Sequence, residues 1–403
     1  MSKLPSETFC VLPFMHMAAT PAGSFRVCCN SNPKNNKIWK TPDKEYKLYR
    51  DDVEEVWNSP DYKRIRKQFI DGERPETCQR CFREEDSGSS TSPRIAANKH
   101  WMRDDIQIAE EIPLDIRYLD IRLGNLCNLK CRMCNPWSSS MWIKDWNSVV
   151  GTAELQPNAP LSDDDLDWMG KMGEWPDLEK TGVNFVDIAD TIEEIYLTGG
   201  EPTLALSQYK LFDYCIEQGI AKNIRLKYNT NLTNVPPKML EYWKHFKRVQ
   251  LNASIDAIGE RDRYIRYPST WEKIEENFDK LNALPNVWIQ LHCTVQVLNM
   301  CALHELLTWA TGKGLTGDQI YLNILNHPEC MNIRSLPTAL KNLAKLRLME
   351  WYHIPKVEDT IQYMWAEDWH DKRWPEFIAY NNSIDELQRG NLLDVAPEFQ
   401  TFV

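Results

Sequence analysis

No uninterrupted apolar stretch in the 403-residue sequence approaches the ~18 residues that would suggest a membrane span. The opening segment, MSKLPSETFC, has no long apolar run of the secretory kind. A cytoplasmic protein with no membrane partner is therefore expected. Positive charge is in short supply: 47 Lys and Arg stand against 58 Asp and Glu, a net charge of −11. Such a chain is poorly suited to general nucleic-acid binding, and long duplex partners are not expected, although a local basic cleft is compatible with it. Internal repeats and low-complexity tracts are absent, which argues against a solenoid. With 42% apolar and 26% charged residues the composition is that of a globular protein. The length suits two or three domains, or one α/β barrel with additions.

What the sequence does have is 12 Cys and 16 Trp. In a reducing compartment, clustered cysteines read as metal ligands or redox groups rather than disulfides. Cys10, the pair Cys28-Cys29, and Cys78-x2-Cys81 form a first group. Cys127, Cys131 and Cys134 form a second, with spacing C-x3-C-x2-C. Cys215, Cys293, Cys301 and Cys330 fall singly in apolar or helical surroundings and read as small core residues.

Along the chain, a helical stretch at about 52–70 is broken near Pro60, and residues 84–94 (EEDSGSSTSPR) read as a linker or exposed loop. From residue 116 the pattern changes. Strands are expected near 117–123, 194–198, 224–228, 248–254, 287–295 and 320–325, with helices near 205–218, 236–246, 271–283 and 302–313. Six strands alternating with helices imply a parallel α/β sheet, open or barrel-like, whose chemistry gathers at the C-terminal strand ends. Residues 135–190 are too long for a simple connection and carry Trp137, Trp142, Trp146, Trp168 and Trp175. The run Asp163-Asp164-Asp165 reads as a helix start capped by Ser162. Residues 331–403 look mainly helical, with an irregular tail.

The second cysteine group follows directly after the first of these strands, in LGNLCNLKCRMCNP. Three thiolates on one tight loop can hold three corners of a cubane iron–sulfur cluster and leave the fourth iron open to a small molecule. Zinc is the alternative; it would want a fourth ligand, and no nearby His or Cys offers itself.

This stretch resembles the cluster loop of the radical S-adenosylmethionine (SAM) superfamily, and other landmarks stand in the matching order. Gly199-Gly200-Glu201-Pro202 ends the second strand, Asn229-Thr230-Asn231 the third, and Ser254-x-Asp256 the fourth. Arg266 lies in DRYIRYPSTWEKI, and Asn299 follows the fifth strand. The resemblance implies that Cys127, Cys131 and Cys134 bind a [4Fe–4S] cluster. It places Gly199, Gly200 and Glu201 by the SAM amino group, Ser254 and Asp256 near its ribose, Arg266 at its carboxylate, and Asn229 and Asn299 among its other contacts. Met133 stands where many members have an aromatic residue. The first cysteine group, with Gly23, Trp57-Asn58-Ser59 and Pro75, resembles the twitch domain, a short relative of the SPASM auxiliary-cluster domain, here placed before the core rather than after it. That resemblance implies a second [4Fe–4S] cluster on Cys10, Cys28, Cys78 and Cys81, with Cys29 a rival to Cys28; a four-cysteine zinc site is the alternative.

The implied architecture is α/β: a partial (β/α)6 TIM-like barrel over 116–330 with the aromatic-rich insertion 135–190, preceded by a twitch domain over 1–95 and followed by a helical extension over 331–403. The implied activity is reductive cleavage of SAM to a 5′-deoxyadenosyl radical that abstracts hydrogen from a substrate, with flavodoxin or ferredoxin as one-electron donor. A peptide or protein side chain is the favoured substrate class. A nucleotide, nucleobase or sugar is the alternative, for which Arg26, Arg64, Arg66, Lys67, Arg122 and Arg132 are candidate phosphate partners. A non-catalytic iron–sulfur electron carrier is a third reading, disfavoured because it has no need of a SAM pocket.

Overall fold

Alternation of apolar and polar residues is the signature of a strand with one face in the core, and the runs that carry it form the sheet of the protein. The computed structural model describes residues 4–32, 37–86, 92–150, 160–172 and 188–403. Its strands are β1 (His16–Ala19), β2 (Phe25–Arg26), β3 (Trp39–Thr41), β4 (Lys44–Glu45), β5 (Tyr118–Arg122), β6 (Glu194–Thr198), β7 (Arg225–Thr230), β8 (Arg248–Ala253), β9 (Val287–Val295) and β10 (Ile320–Ile324). The six expected strands are β5 to β10, and they pair in sequence order, all parallel. The helices expected between them also form: Gln208–Glu217, Pro237–Trp243, Trp271–Asn282 and Leu303–Gly312.

Four strands were not foreseen, two of them in the main sheet. β1 adds to the β5 edge in parallel and β2 pairs with β1 antiparallel, giving one eight-stranded sheet in the order β10-β9-β8-β7-β6-β5-β1-β2. The N-terminal segment therefore continues the core sheet. The hairpin β3–β4 stands apart from it. The sheet is open, but it curls: Tyr321 of β10 and Tyr118 of β5 line one cavity with Cys10 and Cys28.

On β5, Leu119 and Ile121 are buried on one face while Tyr118, Asp120 and Arg122 share the other. Register carries that second face across the sheet, Asp120 beside Tyr196 beside Lys227 beside Gln250. Asn252 donates to Asn229 at 2.8 Å and Gln250 to Gln290 at 2.7 Å. A parallel sheet covered by helices on both faces reads as continuous apolar strands; these alternate because the concave face lines cavities.

Of the expected linker at 84–94, residues 87–91 lie outside the described residues, and both flanks belong to helices. Glu84, Glu85 and Asp86 end the helix Gln79–Asp86. Ser92 caps the helix Pro93–Trp101, its hydroxyl accepting from Ile95 N at 3.2 Å. Glu85 pairs with Arg94 across the gap. That helix also crosses residue 95. Ser162 caps its helix, Asp163–Met172, as expected: its hydroxyl accepts from Asp165 N at 3.2 Å. Trp175 lies outside the described residues. Residues 331–403 are helical, with Thr338–Leu348, Val357–Ala366 and the 19-residue His370–Gln388. No helix among the described residues is long and apolar enough to cross a membrane.

Candidate functional site

Parallel strands deliver their following loops to one end of the sheet, and the loops after β5, β6, β7 and β8 meet with the end of β9 around a cavity of about 350 Å³. Cys127, Cys131 and Cys134 line it together with Gly199, Gly200 and Arg266. Glu201, Asn229 and Ser254 also reach it. Burial pushes all three thiols up, Cys134 to about 12 and Cys131 well above its ordinary value. Unaided they would be neutral at pH 7. They become thiolates only when a metal centre supplies positive charge.

The cysteine loop is held by its neighbours rather than by regular structure. The Ser139 hydroxyl donates to Leu129 O at 2.6 Å, Trp142 Nε1 to Cys131 O at 3.0 Å, and Asn125 Nδ2 to Pro136 O at 2.8 Å. From the far end of the chain, Gln388 Nε2 donates to Lys130 O at 3.1 Å and the Tyr380 hydroxyl to Arg132 O at 2.8 Å. Arg132, between two of the cysteines, is buried. It donates to Tyr264 O at 2.8 Å, Asn381 Oδ1 at 2.9 Å and Asp385 Oδ1 at 2.5 Å. The C-terminal helix thus clamps the loop, a role the sequence did not show.

The two glycines are fixed by close packing of backbone on backbone. A Cβ on Gly200 would stand 2.1 Å from Leu126 O, and one on Gly199, whose φ is +123°, would stand 2.6 Å from Gly124 O. Both are required because the segment leading to Cys127 packs on their backbone. Glu201 is buried with its carboxylate committed to the fold: Oε1 accepts from Thr203 N and Oγ1 and from Thr230 Oγ1, and Oε2 from Asn231 N at 2.7 Å.

Asp256 and Asn299 do not line the cavity; they stand behind its wall. Asp256 Oδ1 accepts from Thr294 N at 2.7 Å, while Oδ2 lies 2.8 Å from Arg266 Nε at an angle that leaves both atoms without a hydrogen bond. Asn299 donates to Asp256 O at 2.9 Å and Thr294 O at 3.0 Å. Arg266 is charged and buried, raised by Asp256 and by the nearby Cys131 against the opposing effect of burial.

A second cavity, of about 440 Å³, is lined by Cys10, Cys28, Cys78 and Cys81. Cys78 closes a short 3₁₀ turn and Cys81 sits in the first turn of the helix that follows. Asn98 and Arg94 fix the Cys10 segment by donating to Phe9 O, each at 2.7 Å. Cys28 is raised chiefly by burial and then by Cys29, Cys78 and Cys10. Cys29 borders both cavities. Its thiol faces Asp120, which is buried, has no well-formed hydrogen bond at either oxygen, and is raised by burial to about 6 against the pull of Arg122. Among the described residues, no group of three or more His, Cys, Asp or Glu side chains is placed to hold a single metal ion.

The family profile of the radical SAM superfamily matches residues 121–293, and that of the iron–sulfur cluster-binding SPASM domain matches residues 10–82. Residues 121–293 are thus a radical SAM domain, preceded by an iron–sulfur cluster-binding domain. The chain's cofactors are accordingly [4Fe–4S] clusters and SAM, and the two thiol sets are donors of the kind such clusters take. The chain is also similar, at low identity, to solved structures. Native anSMEcpe with bound AdoMet is 14% identical, with 59% of this chain and 61% of that one covered and a TM-score of 0.34. Streptococcus suis SuiB bound to precursor peptide SuiA is 11% identical, with 83% and 70% covered and a TM-score of 0.34. This chain therefore spans less than two thirds of the anSMEcpe chain. No curated protein matches it.

Of the basic residues considered for phosphate, four are engaged elsewhere. Arg64 pairs with Asp61, Lys67 with Asp71 and Arg132 with Asp385, while Arg66 donates to Pro13 O and stacks on Trp57. Arg26 and Arg122 face a cavity. Among the tryptophans, Trp142 and Trp146 are core, whereas Trp137 and Trp168 are exposed.

Proposed function

We propose that this radical SAM enzyme acts on a peptide or protein side chain, with Cys127, Cys131 and Cys134 holding the SAM-binding cluster and Cys10, Cys28, Cys78 and Cys81 holding the auxiliary one. The observation that carries the assignment is that the three thiols, Gly199, Gly200 and Arg266 share one cavity whose wall is continuous, at Cys29, with the cavity of the other four. Held by Cys127, Cys131 and Cys134, a [4Fe–4S] cluster would supply the electron for reductive cleavage of SAM, the source of hydrogen-abstracting chemistry at the substrate. The chain's own residues position and exclude water. Arg266, oriented by Asp256, presents a fixed positive charge for the SAM carboxylate. Asn229 and Ser254 offer polar contacts for the rest of SAM, while Asp256 and Asn299 act by holding the wall. Glu201 fixes the glycine turn against the cluster loop. The peptide class is supported by a cavity that does not stop at the SAM site: Arg122 and Ser138 line both it and a neighbouring space of about 350 Å³, giving room for an extended chain. A one-electron donor of the flavodoxin or ferredoxin kind completes the scheme.

Anaerobic reconstitution tests this. The expected load is about eight iron per chain, two clusters of four, with 5′-deoxyadenosine formed on adding dithionite and SAM. Cys28→Ser should halve the iron, whereas Cys29→Ser should keep it. Cys78→Ala with Cys81→Ala should retain SAM cleavage and lose product. A fully loaded protein that leaves SAM intact would end the enzyme reading, and deuterium transfer from labelled peptides into 5′-deoxyadenosine would identify the donor position.

A further inference from the structure

The space beside the SAM cavity holds charge that the protein does not neutralise. Arg26, Lys37, Lys47 and Arg122 line it with a single acid, Glu45. That acid is already taken: its carboxylate lies 2.7 Å from Lys47 Nζ and 3.6 Å from Lys37 Nζ. Neither Arg26 nor Arg122 has an ion-pair partner among the described residues, and the two guanidiniums repel each other. Arg26 Nε is buried with no hydrogen bond at all. The buried Asp120 attracts both guanidiniums without forming an ion pair with either, so four cations and one engaged acid still face this space, and they suit a ligand that brings negative charge. The mouth is built for contact as well. Trp137 and Trp168 line the same space, edge to face at 5.6 Å, and are 43% and 39% exposed.

We infer that this cavity is a substrate subsite that takes a carboxylate of the peptide, an Asp or Glu side chain near the residue to be modified, on the Arg26–Arg122 pair. Guanidinium groups bind carboxylates bidentately, and Arg122, which lines both cavities, fixes the distance between the held acid and the SAM site. Trp137 and Trp168 cover the peptide on its way in. The subsite rests on the peptide reading and makes it narrower: the substrate is acidic around its reacting residue.

The test is binding to the enzyme loaded with both clusters and SAM, kept anaerobic and without reductant, so that it can fail independently of SAM cleavage. The probes are the capped hexapeptide Gly-Glu-Gly-Glu-Gly-Glu, its lysine counterpart and adenosine monophosphate, measured by calorimetry at low salt. The glutamate peptide should bind at least about tenfold tighter than the lysine peptide. Arg26→Gln should remove about that factor and Arg26→Lys should retain most of it, as expected for loss of a charge-assisted hydrogen bond. Equal affinity for the two peptides overturns the inference. So does unchanged binding in an Arg26→Gln protein of normal iron content, or Arg26-dependent binding of the nucleotide with none of the glutamate peptide. Should Arg26→Gln lose its iron, the wild-type protein decides: its affinity for the glutamate peptide must fall as salt rises, and a salt-independent affinity rejects the subsite.

Discussion

Replacing Arg132 by Met is the sharpest probe of how the cluster loop is held. Methionine keeps the apolar stem of the side chain and removes four donated hydrogen bonds, to Tyr264 O, Asn381 O and Oδ1, and Asp385 Oδ1. It also removes the guanidinium stacked 3.5 Å from the Tyr264 ring centroid. Breaking one side of a buried ion pair costs about 3–5 kcal/mol because the other charge is left behind. Here the loss should sit at the lower end, about 3 kcal/mol. Asp385 is 14% exposed and still accepts from the Tyr264 hydroxyl at 3.0 Å and Asn381 Nδ2 at 3.3 Å. With an unfolding entropy of about 2 cal/mol/K per residue, that corresponds to a fall of about 3–4 °C in Tm for a chain of this size unfolding as one unit. The local effect should exceed the global one, because Arg132 lies between Cys131 and Cys134. Reconstituted iron should drop from about eight toward four, with the auxiliary set of thiols still loaded. Melting under anaerobic conditions and iron analysis read the two effects, and a double-mutant cycle with Asp385→Leu isolates the pair. If Arg132→Met keeps its iron and Tm, or if the two substitutions add without coupling, the clamp does not exist.

Gly200→Ala should abolish loading of the three-thiol site, because the new methyl would overlap Leu126 O on the cluster loop, whereas Gly312→Ala, with nothing within 4 Å, should be neutral or slightly stabilising. Full iron in Gly200→Ala would contradict the close-packing argument. His292 predicts a pH effect. It is half-buried against Tyr321 at 4.6 Å with its Nε2 shut off from water, and desolvation, then the charge of Lys227, pulls its pKa down to about 3 from an ordinary 6.5. A depressed histidine is neutral in the folded chain, so the unfolded chain binds the extra proton. Stability is full above pH 6.5 and falls toward pH 3, by up to about 1.4 kcal/mol per pH unit from this one group. His292→Gln should flatten the change in urea midpoint between pH 7 and 5.5; an unaltered slope would show that another group is responsible.

The sequence carried the parts of the fold that are local. Each of β5 to β10 is an alternating run bounded by turn residues, and the three-cysteine loop needs only its own spacing and the strand before it. What it could not carry is contact across distance. Arg132 meets Asp385 from 253 residues away, and no pattern near either one announces the other. β1, with the short sequence HMAA, gives no period to read and is a strand because β5 offers an edge. In the stretch 84–94 the composition could not show that its two ends meet, Glu85 with Ser92 and Arg94. The adjacent cysteines show the same limit at its smallest scale. Neighbouring side chains diverge, so one of the pair must join Cys10, Cys78 and Cys81 while the other faces elsewhere; composition and spacing treat Cys28 and Cys29 alike. The fold sets Asp120 and Arg122 beside Cys29, and Cys78 and Cys10 beside Cys28, which is why Cys28 is the proposed ligand. The same placement turns Arg122 from one basic residue among several into the residue shared by the SAM cavity and the cationic one.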